Sequence, residues 1–171
     1  AEHQRAAAVI RRLGALFRRE ATSLVPLDVN VLVRDTIELT STNLLMQHVT
    51  HATTLAPGLP PIDGDRVQLQ QMLLNLIVNA ADAMSALPEA ERVMTIDTAL
   101  DAGMIRLCVA DRGPGVPAEA MDQVFEPFWS TKPAGMGIGL AVCRSIVTAH
   151  RGTLDVANAP AGGAVFCARL P

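Results

Sequence analysis

Tyrosine is missing from this sequence, Trp129 is its single tryptophan, and aromatic residues make up only 3% of the chain. A core without many rings has to be built from Leu, Ile, Val, Ala and Met, which an apolar content of 50% supplies. Excess charge of either sign is missing too. A formal net charge of −3 and a pI near 5.8 give no electrostatic case for nucleic acid or for an anionic membrane surface. No apolar run reaches the length that spans a bilayer and no leader pattern is present, so this segment is expected to be soluble and to make no membrane contact. Cysteine is scarce. Cys108, Cys143 and Cys167 are odd in number, far apart and without CxxC or metal-ligand spacing. They are expected to be reduced, mostly buried thiols of a cytoplasmic protein, one that a membrane anchor elsewhere would not contradict.

What is present has room for one full domain and an appendage. Val9, Ile10, Leu13, Leu16 and Phe17 fall on one stripe of an amphipathic helix, flanked by Arg5, Arg11, Arg12, Arg18 and Arg19 as a solvated coiled-coil edge. A lone helix cannot bury that stripe, so residues 1–22 need a partner helix, from a second copy of the chain or from a preceding segment. The opening Ala1-Glu2-His3, without Met, suits a piece of a longer protein. From residue 23 the pattern predicts a strand at 27–29, a helix from 31 to about 45 capped by Asn30, and a β-like run over 48–55. A long helix from 66 to about 87, capped by Asp65, comes next, then a hairpin of 93–100 with 104–110 across Asp101-Ala102-Gly103. A Gly- and Pro-rich stretch over 111–139 leads into a helix over 139–149 and a last hairpin of 153–156 with 164–170. This order predicts an α/β chain of the α+β kind, a two-layer sandwich of a mixed sheet packed on helices.

Three segments carry chemistry. Asn75, Asn79 and Asp82 stand at i, i+4 and i+7 on one face of the long helix, and their side-chain oxygens suit Mg²⁺ shared with phosphates; ordinary helix-surface polarity gives the same pattern. Asp111-x-Gly113-x-Gly115 follows a predicted strand, and either brings backbone and carboxylate close to a ligand or simply makes a tight turn. Gly135-x-Gly137-x-Gly139 opens a helix whose free amides and dipole can face phosphate, with Lys132 three residues upstream as a candidate charge for a terminal phosphate. It is not a P-loop, because no Gly-Lys-Ser/Thr follows. Together, in this order, the three say that the chain binds a nucleotide.

In these residues the chain resembles the catalytic ATP-binding domain of bacterial sensor histidine kinases of two-component signalling, a fold shared with gyrase- and chaperone-type ATPases. Residues 68–84 resemble the N box of that family, 111–115 its G1 box, 125–132 its F box and 135–140 its G2 box, so that the match runs from about 27 to 171. Residues 6–13 look like the second helix of the dimerisation hairpin. The resemblance implies an ATP site drawn from Asn75, Asn79, Asp82, Asp111, Gly113, Gly115, Phe125, Thr131, Lys132, Gly135, Gly137, Ile138, Gly139 and Leu140. In it Asp111 would bind the adenine amino group, and Asn79 would ligate Mg²⁺ with Asn75 on the metal or directly behind its ligands. Lys132 and the amides of 135–140 would hold the β and γ phosphates, and residues 116–136 would form a lid. Asn75 and Lys132 would serve the chemistry: transfer of the γ-phosphoryl group to a histidine and then to an aspartate of a response-regulator receiver domain.

The departures shape the expectation. The acceptor motif, His followed by an acidic residue with Pro a few places on, is not found; His3 precedes Gln4 and Arg5. His48 and His51 on a predicted strand point to opposite faces, and His150 reads as a cation at a helix C-terminus ended by an αL Gly152. The chain is therefore expected to hold the donor half of the reaction and not to phosphorylate itself. Position 75, where the related ATPases carry a water-activating Glu, is Asn, which cannot act as a general base. That favours transfer over hydrolysis, the alternatives being an ATPase of the same superfamily or a module that signals by nucleotide occupancy.

Overall fold

Alternation of apolar and polar residues makes the central layer. Met94, Ile96 and Thr98 on one strand, Ile105, Leu107 and Val109 on the next, and Phe166, Ala168 and Leu170 on a third are all buried on the same face. The structure, a computed structural model, describes residues 24–130 and 136–171. The helix expected over 1–22, and Thr131, Lys132 and Gly135, lie outside those residues.

The elements run β1 (Val25–Leu27), α1 (Val29–Met46), β2 (Thr50–Leu55), β3 (Ile62–Gly64), α2 (Arg66–Ala83), β4 (Val93–Asp101), β5 (Met104–Ala110), α3 (Gly139–Ala149), β6 (Thr153–Asn158) and β7 (Ala164–Leu170). Strands β2-β4-β5-β7-β6, in that order, form one sheet, with β2 parallel to β4 and every other pair antiparallel. The mixed sheet and its single layer of helices agree with the expected α+β sandwich. Helix α2 lays Leu69, Met72, Leu73, Leu76, Ile77, Ala80 and Ala81 into the core, and α3 adds Val142, Cys143, Ile146 and Val147. The β4–β5 hairpin turns at Ala102 and Gly103, both with positive φ (51° and 81°), the pairing that a tight antiparallel turn requires.

Several expectations change in detail. The cap of α1 is Asp28, whose carboxylate accepts from the Asn30 and Val31 amides at 2.8 and 3.1 Å. Asn30 is buried instead, donating to the Ala56 carbonyl and accepting from the Thr98 hydroxyl. The predicted strand at 27–29 lies earlier, at Val25–Leu27, and pairs with β3, which the pattern did not announce. Helix α2 stops at Ala83, five residues ahead of Pro88, and the Arg92 guanidinium collects carbonyls beyond it. Arg92 donates to Leu87 O (3.0 Å) and Ser85 O (3.1 Å), and to Gln47 O (2.8 Å) just past α1. Charge-assisted bonds of this kind contribute about 1.5–3 kcal/mol each when well formed. Arg92→Ala is expected to lower the unfolding free energy by roughly 2–4 kcal/mol in a urea titration, with Arg92→Lys recovering only part, since one ammonium cannot span three carbonyls. An unchanged midpoint in Arg92→Ala would remove this role.

His51 is the second residue of β2 while His48 sits in the turn before it with φ 54°, so the two do not share a strand. His150 at the end of α3 is buried: its Nε2 accepts from the Asp65 amide at 2.9 Å, which leaves its Nδ1–H to donate to Ile146 O. The left-handed position after α3 belongs to Arg151 (φ 59°) and not to Gly152. The thiol expectation is also corrected. Cys108 and Cys167 stand directly opposite on β5 and β7, with Cα atoms 4.1 Å apart, and form a disulfide. Their separation of 59 residues hid a pairing that only strand register creates. Cys143 remains a free, buried thiol.

Candidate nucleotide-binding site

The C-terminal ends of α2 and β5, the start of α3 and the start of β7 converge on a cavity of about 230 Å³. Its walls are largely apolar, with Val116, Pro117, Val124, Trp129, Leu140, Ala164 and Phe166, and its polar groups are Asn79, Asp82 and Asp111. A concave, mostly apolar cavity with a few convergent polar groups is the usual form of a small-molecule site.

Asp111 directly follows β5 and is 5% exposed. A carboxylate so buried must be hydrogen-bonded. Its Oδ1 accepts from the Gly113 amide at 2.7 Å and the Ala164 amide at 3.3 Å, while its own amide donates to Ala164 O at 3.0 Å. The close pass of β7 that supplies these contacts depends on Gly163. Its φ is 88°, and a Cβ there would sit 1.9 Å from the Asp111 carbonyl oxygen. Gly113 serves a second close pass, since a Cβ at that position would stand 2.8 Å from Ala83 O at the end of α2. Two glycines thus bring the carboxylate, the helix end and the β7 strand to one place.

On α2, Asn79 and Asp82 line the cavity. Asp82 occupies the last turn, where the partial negative charge of the helix end disfavours a carboxylate and would favour a bound cation. Asn75 is not among the lining residues. Its side chain hydrogen-bonds the Cys143 thiol of α3, which also donates to Met72 O at 3.5 Å. Burial pushes that thiol up to about 12, so it stays protonated and unreactive.

Helix α3 begins at Gly139 with Ile138 at its cap position and no capping side chain, which leaves first-turn amides for another acceptor. Leu140 lines the cavity beside this end, and nothing lies within 4 Å of where a Gly139 side chain would be. Ile138 is buried in the core, and Gly137 accepts from the Phe128 amide at 2.9 Å. Phe125 stands one layer behind the wall, edge-on to Phe166 with ring centroids 6.2 Å apart, under the Arg144 guanidinium at 5.7 Å. Phe128 is 73% exposed with φ 69°, an uncommon conformation for a bulky side chain. Of the residues named from the sequence, then, Asn79, Asp82, Asp111, Gly115 and Leu140 line the cavity. Asn75, Gly113, Phe125, Gly137 and Ile138 support it from behind or beside, and Gly139 opens the helix at its edge.

Residues 64–171 match the model of the histidine kinase-, DNA gyrase B- and HSP90-like ATPase family. The chain belongs to this family. Within these ATPases it is a catalytic ATP-binding domain of the sensor-histidine-kinase type. The sensor histidine kinase TmoS of Ectopseudomonas mendocina is 34% identical over 172 residues, which is 99% of this chain and 18% of that protein. Full-length ShkA in complex with AMPPNP superposes with a TM-score of 0.78 at 31% identity, covering 95% of this chain and 34% of that one. The histidine kinase ThkA in complex with the response regulator protein TrrA gives a TM-score of 0.80 at 22% identity, over 99% of this chain and 48% of that one, and speaks for the fold. The chain spans between 18% and 35% of the lengths of curated relatives it matches. Among the described residues no helix is long and apolar enough to cross a membrane.

Sequence reasoning missed Ala164 and Phe166, which line the cavity, and Gly163, which lets β7 pass close to Asp111. Phe166 carried a signal, because alternation along 164–170 already turned it inward, but nothing in the pattern said that this end of the strand adjoins Asp111. Gly163 read only as a hairpin-turn glycine.

Proposed function

We propose that the cavity takes the adenine of ATP and that this domain donates the γ-phosphoryl group to a histidine on another helix, with Mg²⁺ as the metal. The observation that carries the reading is the buried Asp111 between two oppositely poled helix ends. An acceptor at the floor of an apolar slot suits an exocyclic amino group. The uncapped start of α3 suits phosphate, and the oxygen-rich end of α2 suits a cation. The cavity is smaller than the roughly 300–1,000 Å³ that encloses a whole drug-sized ligand, which suits the base while the phosphates extend towards α3.

Asn79 and Asp82 offer the oxygen ligands that Mg²⁺ prefers, with phosphates and water completing its shell. Asn75, engaged with Cys143, stands behind them and fixes the pitch of α2 against α3. The ion, when bound, neutralises charge on the phosphates. Lys132, Thr131 and Gly135 are assigned to the phosphates, Gly137 to the loop beneath them, and residues 116–136 to a lid. In the transfer, an imidazole nitrogen bonds to the γ-phosphorus while its bond to the ADP oxygen breaks, and the protein contributes positioning and electrostatics. The partners are the histidine-bearing helix, a second copy of the chain through residues 1–22, and the receiver aspartate of a response regulator. A cytoplasmic site of action follows from the use of ATP.

Hydrolysis is the competing reading, and the Asn at position 75 speaks against it, since an amide cannot activate water. The test is a titration of the Trp129 fluorescence, because this residue lines the cavity. Mg-ATP is expected to change the emission saturably and EDTA to weaken the apparent affinity, with no steady ATP turnover. A flat titration to millimolar nucleotide, confirmed by calorimetry, would sink the proposal; steady turnover abolished by Asn75→Ala would transfer it to the ATPases.

A further inference from the structure

The loop that follows Asp111 leaves the sheet at Ala110, and yet Gly115, Val116 and Pro117 form one wall of the cavity. A wall made of loop needs something to hold it at the right distance. The hold comes from Asn158, the last residue of β6. Its Oδ1 accepts from the Val116 amide at 2.8 Å and its Nδ2 donates to the Val116 carbonyl at 2.8 Å. A side-chain amide presents one acceptor and one donor side by side, as a backbone residue of a neighbouring strand does, so Asn158 extends the sheet by one residue towards the loop. Gly115 leaves room for this contact: its φ is 76°, and a Cβ there would stand 2.7 Å from Asn158 Oδ1. Asn158 itself pairs with Ala164 in the β6–β7 register, and Ala164 lines the same cavity and donates to Asp111. One hairpin therefore fixes both the carboxylate and the loop wall opposite it.

We infer that Asn158 is a positioning residue for the nucleotide, setting the distance of the Gly115–Pro117 wall from Asp111 without touching the ligand. It is solvent-exposed and outside the core, so its loss leaves the domain folded. It rests on the reading that the cavity takes adenine.

The experiment measures Mg-ATP affinity by Trp129 fluorescence in wild type, Asn158→Ala and Asn158→Asp, together with hydrogen exchange of the Val116 amide by NMR. Asn158→Ala is expected to weaken Mg-ATP roughly tenfold, as two bonds to a wall are lost, with the unfolding midpoint little changed and the Val116 amide no longer protected. Asn158→Asp keeps the acceptor for Val116 N–H but sets a carboxylate oxygen against Val116 O, and is expected to bind no better than Asn158→Ala. A role confined to stability would lower the midpoint and leave the affinity of the folded fraction untouched, which overturns the inference, as does an Asn158→Ala protein with wild-type affinity. Failure of the nucleotide reading is separate, because wild type itself would then give no titration.

Discussion

Asp111→Asn is expected to weaken Mg-ATP binding by roughly 10–100-fold while the domain stays folded, because a hydrogen bond to a buried charged group is worth about 1.5–3 kcal/mol. The substitution preserves shape and one acceptor oxygen, which can still receive the Gly113 and Ala164 amides. It replaces the other oxygen by an NH₂, a donor facing whatever donor the ligand presents. Asp111→Ala should abolish binding altogether, but it also strips the two backbone amides of their acceptor and so mixes a stability loss into the result. The Asn variant is therefore the decisive one. Its affinity is read from the Trp129 titration, and its folding from far-UV circular dichroism. If Asp111→Asn binds Mg-ATP as tightly as wild type, the carboxylate does not recognise the base, and another group in the cavity must.

Reducing the Cys108–Cys167 disulfide should cost the protein about 4 kcal/mol of stability, since the cross-link closes a loop across a sequence separation of 59 residues. Two measurements check it. Alkylation of the denatured, unreduced protein should label Cys143 alone, and all three cysteines should be labelled only after reduction. The urea midpoint should then fall on reduction and in Cys108→Ser/Cys167→Ser, by similar amounts. Three labelled cysteines without any reductant would refute the pairing. Cys143, held protonated by burial, should label only on unfolding, so its modification rate doubles as a probe of global opening.

Much of this fold was legible because its local signals agree with one another. The Asp101-Ala102-Gly103 turn, the Asp65 cap and the limits of α3 all follow from short-range chemistry, and all are found as expected. What failed was what depends on distant partners. Asp28 and Asn30 are both good cap residues, and the choice between them was made by Thr98 and Ala56, far along the chain. Apolar periodicity ran past Ala83 to Leu87, but the carbonyls there bond Arg92 and not the next helical turn. β1 and β3 are three residues each, too short to show an alternation. The same distinction holds at the site. Asn79, Asp82 and Asp111 were readable because helix pitch and a strand end place them. Ala164, Phe166 and Gly163 were not readable as site residues, because they come to the cavity and to Asp111 only once β7 lies against β5.

That last contact has a consequence for how the protein is made. β7 comes last among the strands of the sheet, but it lies inside the sheet, between β5 and β6. A ribosome synthesising the chain therefore releases β4 and β5 as an unfinished sheet, with one flank of β5 open until β7 arrives to fill it. Asp111 has neither of its Ala164 contacts before then. Without β7 the surroundings of Asp111 are incomplete, and a stop codon ahead of residue 164 would remove the middle of the sheet and not an edge. Closure of the sheet by β7 thus precedes the Asp111 pocket in the order of assembly.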